Sequence, residues 1–193
     1  TLTGTSGSNQ IVAGDGADTL TGAGGADVLY GGRGDDLIVV NADNVAKLGT
    51  NTGNNSESIA RVDGGAGIDT LALDGGDIML DLSLVSSPAI QNIEKIDLTG
   101  SGNNTLKLSL QDMLQSFDNS NVFNSSNTTS GLTAKVTKNQ LMVDGDAGDK
   151  VVLSDLANWM AAGVVNDSGD LYAVYNHNTS AQQLLISQAV LLA

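Results

Sequence analysis

With 193 residues the chain is long enough for one sizeable domain, or for a repeat array joined to a smaller unit. Acidic residues outnumber basic ones 22 to 8, for a formal charge of −14, so nucleic acid and anionic membrane surfaces are poor partners and cations are natural ones. The absence of cysteine excludes disulfides and thiolate metal sites, and no apolar run is long enough for a transmembrane helix. The opening TLTGTSGSNQ has neither a basic nor an apolar stretch, so no signal peptide is expected there, and Thr1 suggests a piece of a longer protein.

The chain then repeats every nine residues: GTSGSNQIV (4–12), AGDGADTLT (13–21), GAGGADVLY (22–30) and GGRGDDLIV (31–39), with a fifth copy, GGAGIDTLA (64–72), after an insertion. Position four is always glycine, at Gly7, Gly16, Gly25, Gly34 and Gly67. Position six is Asn9, then Asp18, Asp27, Asp36 and Asp69. Position eight is always a large aliphatic: Ile11, Leu20, Leu29, Ile38 and Leu71. Three columns held in register mark a stacked repeat and not a flexible Gly/Asp-rich loop.

Each column has a separate physical reason. Glycine permits positive φ and lets carbonyl oxygens converge with no Cβ in the way. The sixth-position carboxylate offers a hard anionic oxygen. The aliphatic at position eight points inward from a very short strand, so successive copies stack a hydrophobic ladder. Turn, strand, turn, strand makes a coil of eighteen residues, which sets 4–9 beside 22–27 on one edge and 13–18 beside 31–36 on the other. Hard oxygens without His or Cys select calcium over zinc or copper, and over magnesium, which demands a tighter octahedron. Several calcium ions are expected.

GGRGDDLIV matches the RTX (repeats-in-toxin) consensus GGxGxDxUx, and the repeats resemble that family. The resemblance implies that one turn gives the carbonyls of its second and fourth residues and its Asp. The neighbouring turn gives the carbonyls of its first and third residues and its own Asp. Carried onto this chain, one site takes Gly14, Gly16 and Asp18 with Gly31, Arg33 and Asp36. The other takes Thr5, Gly7 and Asn9 with Gly22, Gly24 and Asp27, and is weaker because Asn9 brings no charge. Ala23 and Gly25 would serve a further ion with whatever follows on the same edge, and Asp69 would join the stack at a place the insertion leaves open.

Residues 40–62 break the register, and NADNVAKLGT (41–50) reads as a short helix. TLALDGGDIMLDLS (70–83) and IEKIDLTGSGNNTLKLSLQDML (93–114) alternate apolar and polar residues as strands do, with SLQDMLQSF (109–117) as a capping helix. Further strands are expected in LTAKVTKNQLMVDGDAGDKVVL (132–153), around LYAVY (171–175) and in QQLLISQAVLL (182–192), with a helical SDLANWMA (154–161) among them. In GDAGDKVVL (145–153) the sixth position holds Lys150; Asp144, Asp146 and Asp149 are candidates for an isolated calcium turn, with a plain hairpin turn as the alternative. The expected fold class is all-β: a calcium-bound parallel β-roll (β-solenoid) extended by further strands, with short capping helices. The expected divisions are the roll at 1–75 with its insertion at 40–62, a solenoid extension and capping helix at 76–131, and a β-rich cap at 132–193.

NIEKIDLTGSGNNTLKLSLQDML, VDGDAGDKVVL, Trp159, LYAVY and the terminal LLI resemble the end of giant RTX adhesins. That resemblance implies an extracellular surface or biofilm adhesin, exported by the type I secretion machinery through an uncleaved signal within 132–193. A monomer is expected, with no nucleic acid partner and no direct membrane insertion. Clustered carboxylates should keep the roll unfolded in low calcium, and ion binding should fold it on export. Two other readings are a sugar-binding module, for which no aromatic platform is evident, and the C-terminal RTX part of a secreted enzyme or toxin.

Catalysis in this chain is not expected. HExxH is missing, His177 is the only histidine, no GxSxG is present, and calcium explains the paired carboxylates better than acid–base work. GAGGAD and GRGDDL complete neither nucleotide-loop pattern, and Arg33–Gly34–Asp35 is read as columns of the repeat and not as an integrin-type tripeptide. His177 is expected in a surface loop, and Trp159 as a core anchor on its helix.

Overall fold

A computed structural model describes residues 1–49, 59–85, 88–117, 123, 129–130 and 138–193. Short strands follow the repeats: β1 (Leu2–Thr3), β2 (Gln10–Asp15), β3 (Thr19–Thr21), β4 (Val28–Arg33) and β5 (Leu37–Val40). Helix α1 (Ala42–Gly49) comes next, where the sequence predicts one, and it starts because Asn41 Oδ1 accepts from the amides of Asp43 and Asn44. Strands resume at β6 (Arg61–Ala66) and β7 (Thr70–Leu73), so the ladder restarts one residue before the expected end of the insertion at 62. Beyond lie β8 (Met79–Asp81), β9 (Ile90–Gln91), β10 (Lys95–Asp97), β11 (Thr105–Leu108) and helix α2 (Leu110–Ser116). Ser109 and Asp112 close a reciprocal capping box at the start of α2, which fixes its first turn. The last elements are β12 (Thr129–Ser130), β13 (Asn139–Asp144), β14 (Lys150–Leu153), β15 (Trp159–Asp167), β16 (Asp170–His177), β17 (Gln182–Ser187) and β18 (Leu191–Leu192). The expected strand over 132–137 lies outside the described residues.

The fold is mostly β, in three sheets. The first runs β1-β3-β5-β7-β10-β13-β17-β16-β15-β12, the second β2-β4-β6-β9 and the third β8-β11-β14-β18. Pairing from β1 to β17, and throughout the second and third sheets, is parallel. Leu20 faces Ile38 and Ile11 faces Leu29, an offset of eighteen residues in each sheet, because one coil visits both. After β7 the chain passes to the third sheet at β8, to the second at β9 and back to the first at β10, and from there it moves between the first and third sheets.

The register makes each ladder continuous. Leu20, Ile38, Leu71, Ile96, Val143 and Ile186 line the inside of the first sheet, and Leu80, Leu106 and Val151 that of the third. Nearly all are completely buried in one core that runs from Leu20 to Ile186. Each rung is a small contribution; the stack succeeds because neighbouring coils share it. A second, smaller core (Phe123, Met142, Val165, Tyr172, Val174 and Leu185) covers the other side of the first sheet where β15 and β16 fold over as an antiparallel hairpin.

Three expectations fail in the C-terminal half. SDLANWMA is not an α-helix: it is one 3-10 turn at Leu156–Asn158, after which Trp159 opens β15. Trp159 is buried, but as a strand residue whose indole N–H donates to Asp155 Oδ1 at 3.0 Å. His177 is not in a surface loop; it ends β16, buried, edge-on to the Trp159 ring at 5.1 Å between centroids. Antiparallel pairing of β15 with β16 from Trp159 to Asp167 overrides the local helical propensity here. The turn at 145–149 is no hairpin either, since β13 and β14 belong to different sheets.

Candidate metal centre

Turns 13–18, 31–36 and 64–69 stack on one edge. Their sixth-position acids form a chain of bonds running from coil to coil. The Asp18 amide donates to Asp36 Oδ1 at 2.8 Å, the Asp36 amide to Asp69 Oδ1 at 2.8 Å, and the Asp69 amide to Glu94 Oε2 at 2.6 Å. Asp69 therefore takes the rung after Asp36 in spite of the insertion, and Glu94 takes the rung after that. The first oxygen of each carboxylate is thus used to hold two coils together.

The second oxygens are the unusual feature. Asp36 Oδ2 and Asp69 Oδ2 are buried with no hydrogen-bond partner. A bare carboxylate oxygen out of water is costly unless a cation or a proton compensates it. Each points over the first glycine of its own turn. A Cβ on Gly31 would collide with Asp36 Oδ2 and lie 2.5 Å from the Gly64 carbonyl oxygen. On Gly64 a Cβ would lie 2.5 Å from Asp69 Oδ2 and collide with the Asn92 carbonyl. Glycine is needed at these positions because a carboxylate and the next coil's carbonyl converge there.

Burial pushes the Asp69 carboxyl up to about 6; the Asp36 amide pulls it down, and the charges of Asp36, Asp35 and Asp63 add to the rise. Among the described residues no three acids or histidines converge on one point. The stack supplies one acid per coil, so the other ligands of an ion here would be carbonyls. Gly14, Gly16 and Gly34 have φ of +117°, +109° and +119°, the backbone that turns peptide groups out of the strand pattern. Arg33 contributes through its backbone: its carbonyl accepts from the Gly16 amide at 2.6 Å, while its exposed guanidinium lies 3.9 Å from an equally exposed Asp15 and stabilises little. Bare hard oxygens, converging carbonyls and no nitrogen or sulfur ligand fit calcium.

The other edge is arranged differently. The Asn9 amide donates to Asp27 Oδ1 at 2.8 Å, as on the first edge. Asn9 Oδ1, however, accepts from the Thr5 amide at 2.5 Å and from the Thr5 hydroxyl at 3.2 Å, so this turn closes on itself. Gly7 lies beneath Gly25, whose Cβ would meet the Gly7 carbonyl at 2.6 Å. Beside turn 22–27 this edge is covered by α1. Asn44 donates to Asp27 Oδ2 at 2.8 Å and to the Gly25 carbonyl at 3.1 Å, and accepts from the Gly24 amide at 3.0 Å. Asp43 Oδ2 accepts from the Gly25 amide at 2.7 Å. The Gly25 carbonyl, expected to face a further ion beside Ala23, is occupied by an amide. Gly22 lies under that same amide.

A third edge joins the later coils. The Ile78 amide donates to Asn104 Oδ1 at 2.8 Å and the Asn104 amide to Asp149 Oδ1 at 2.7 Å. Asp149, buried, also accepts from the Asp146 amide at 2.8 Å. Reading Lys150 into the sixth position was one residue out of register: Asp149 precedes the buried Val151 by two, as Asp36 precedes Ile38. Asp144 accepts from the Tyr172 hydroxyl and pairs with Lys95 at 3.3 Å, so Asp144 and Asp149, two of the three acids named for this turn, have protein partners. The sequence reading missed Asn44, Glu94 and Asn104. Glu94 and Asn104 could have been found, since each stands two residues before a buried aliphatic; nothing in the sequence singles out Asn44.

Residues 3–38 match the family of the RTX calcium-binding nonapeptide repeat, in four copies. No curated protein and no solved structure matches the chain. The match stops short of Asp69 and Glu94, which the bonding pattern alone joins to the edge.

Proposed function

We propose that this chain is a calcium-dependent folding and export module: a parallel β-roll, or β-solenoid, that is unfolded in low-calcium cytosol and folds on reaching calcium outside the cell. The observation that carries the reading is the pair of buried, partnerless oxygens on Asp36 and Asp69. A cation there would offset two desolvated charges at once, and its binding energy would become folding energy. Gly14, Gly16 and Asp18 with Gly31, Arg33 and Asp36 would hold one ion; Asp36, Gly64 and Asp69 would hold another. The carbonyls and carboxylates are structural ligands, and the module is non-enzymatic in this reading.

The wider setting belongs to the same proposal. RTX repeats are typical of secreted proteins, and the resemblance of the C-terminal half to the ends of giant adhesins supports a surface or biofilm adhesin served by type I secretion. Calcium titration followed by far-UV circular dichroism, with EGTA reversal, tests the core of it. The expected outcome is β-signal gained with calcium and lost with EGTA; full native signal in EGTA would remove the mechanism. Export through a reconstituted type I transporter should be faster with calcium on the receiving side, and equal rates with and without it would remove the export part.

A further inference from the structure

We infer that Asn44 is a built-in substitute for a cation on the Asp27 edge, so that this edge closes without metal while the Asp36 edge does not. The inference rests on the calcium reading of the Asp36 edge. Its basis is a comparison of four glycines in equivalent places. Over Gly4, Gly31 and Gly64 sit two groups: the side chain of the turn's own sixth residue and the carbonyl of the next coil. Over Gly22 sits Asp27 Oδ2, and the two atoms nearest a Cβ placed there are Oδ1 and Nδ2 of Asn44, at 2.8 and 2.9 Å, where at the other three glycines a carbonyl of the next coil is among the nearest.

The two ends of the amide do different work. Asn44 Oδ1 accepts from the Gly24 and Asn41 amides, at 3.0 and 3.2 Å. Its NH2 donates to a carboxylate oxygen and a turn carbonyl, Asp27 Oδ2 and Gly25 O, the pair of atom types that a bound cation gathers. A reversed amide would face two N–H groups with its own N–H2, so the network fixes the orientation. Asn44 is buried, and α1 is held against the edge by the further bond from Gly25 to Asp43. Asn104 repeats the chemistry independently on the third edge: its NH2 donates to the Gly75 and Leu98 carbonyls, both at 3.0 Å, while its Oδ1 takes the Ile78 amide. On the third edge the rung residue's own N–H2 takes the place of the bare oxygen, whereas on the Asp27 edge the N–H2 of Asn44 reaches that oxygen from α1.

Asn44→Asp should turn the substitute back into a ligand. Two carboxylates, with Asp43 beside them, would then face the Gly25 carbonyl with no hydrogen to share. Calcium bound per chain is counted by equilibrium dialysis for wild type, Asn44→Asp and Asn104→Asp, and the EGTA-state β-signal is recorded for each. The expected result is one additional ion per chain in Asn44→Asp, with less residual structure in EGTA than wild type and full recovery in calcium. An unchanged ion count, or a variant that stays unfolded at saturating calcium, overturns the inference, because the ion should replace the lost amide. A wild type that binds no calcium defeats the functional reading alone if Asn44→Asp still gains an ion; if neither binds, both fail.

Discussion

Replacing Asp69 by asparagine should have opposite effects with and without calcium. In the metal-free fold its carboxyl is raised from 3.8 to about 6, so the folded state holds the proton more tightly than the unfolded chain. Stability from this group is therefore full below pH 3.8, is lost as pH rises to about 6, and stays lost above. A shift of about two pH units corresponds to roughly 3 kcal/mol. The substituted side chain would keep the bond from the Asp36 amide and carry no charge, while its new N–H2 would find the Asn92 carbonyl over the same glycine. An imperfect bond there would take back about 1–2 kcal/mol, leaving a net gain of about 1–2 kcal/mol for the metal-free state at pH 7.5. Calcium, deprived of one carboxylate, should need at least about tenfold higher concentration to reach its midpoint. Urea titration in EGTA and calcium titration by circular dichroism measure the two halves. A variant that is less stable in EGTA at pH 7.5, or whose calcium midpoint is unmoved, would refute the account of the bare oxygen.

Calcium should also bind less well in acid: below about pH 6 Asp69 must release a proton first, which weakens binding by up to about tenfold per pH unit, and a midpoint that is flat between pH 5 and 7.5 counts against this. Gly31→Ala should both destabilise the fold and raise the calcium midpoint, because its Cβ would occupy the space of Asp36 Oδ2 and the Gly64 carbonyl. Gly163→Ala is the control: it has open space and φ of +115°, so a cost of about 1–2 kcal/mol with an unchanged midpoint is expected by the same titrations. Leu71→Ala, in the middle of a completely buried ladder, should cost about 2–5 kcal/mol by urea denaturation in calcium, and a loss under about 1 kcal/mol would show that the ladder is not the core.

The repeat half was readable because each column answers to a separate local demand. Glycine at position four, acid at position six and aliphatic at position eight are forced by backbone, rung and core, and the register of eighteen follows from their spacing. Legibility ended where loops of unequal length replaced the nine-residue beat. Glu94 keeps an acid two residues before the aliphatic but has Asn92 where the repeat has glycine; Asn104 keeps Gly100 and Gly102 at the second and fourth positions but carries an amide in place of the acid; Asp149 was lost to a one-residue slip. Trp159 and His177 misled because SDLANWMA has local helical character, whereas its place is decided by pairing with β16, a contact distant in sequence. The role of Asn44 could not have been read at all, since it depends on where α1 lands.

The last consequence concerns which part of the stack waits for calcium. Every rung needs one side-chain oxygen for the preceding coil's amide, and Asp, Asn or Glu supplies it equally well. The second atom decides the rest: an N–H2 finds a carbonyl unaided, while an oxygen needs a proton or an ion. The rung from Ile78 to Asn104 is closed by an amide and that from Asn104 to Asp149 by two backbone N–H groups, so neither lacks anything in EGTA. The rungs from Asp18 to Asp36 and from Asp36 to Asp69 each leave an oxygen bare. Hydrogen exchange should therefore show the Ile78 and Asn104 amides protected with or without calcium, and the Asp18 and Asp36 amides protected only with it. Equal protection of the two groups in EGTA would mean that the choice between acid and amide at the rung does not set calcium dependence.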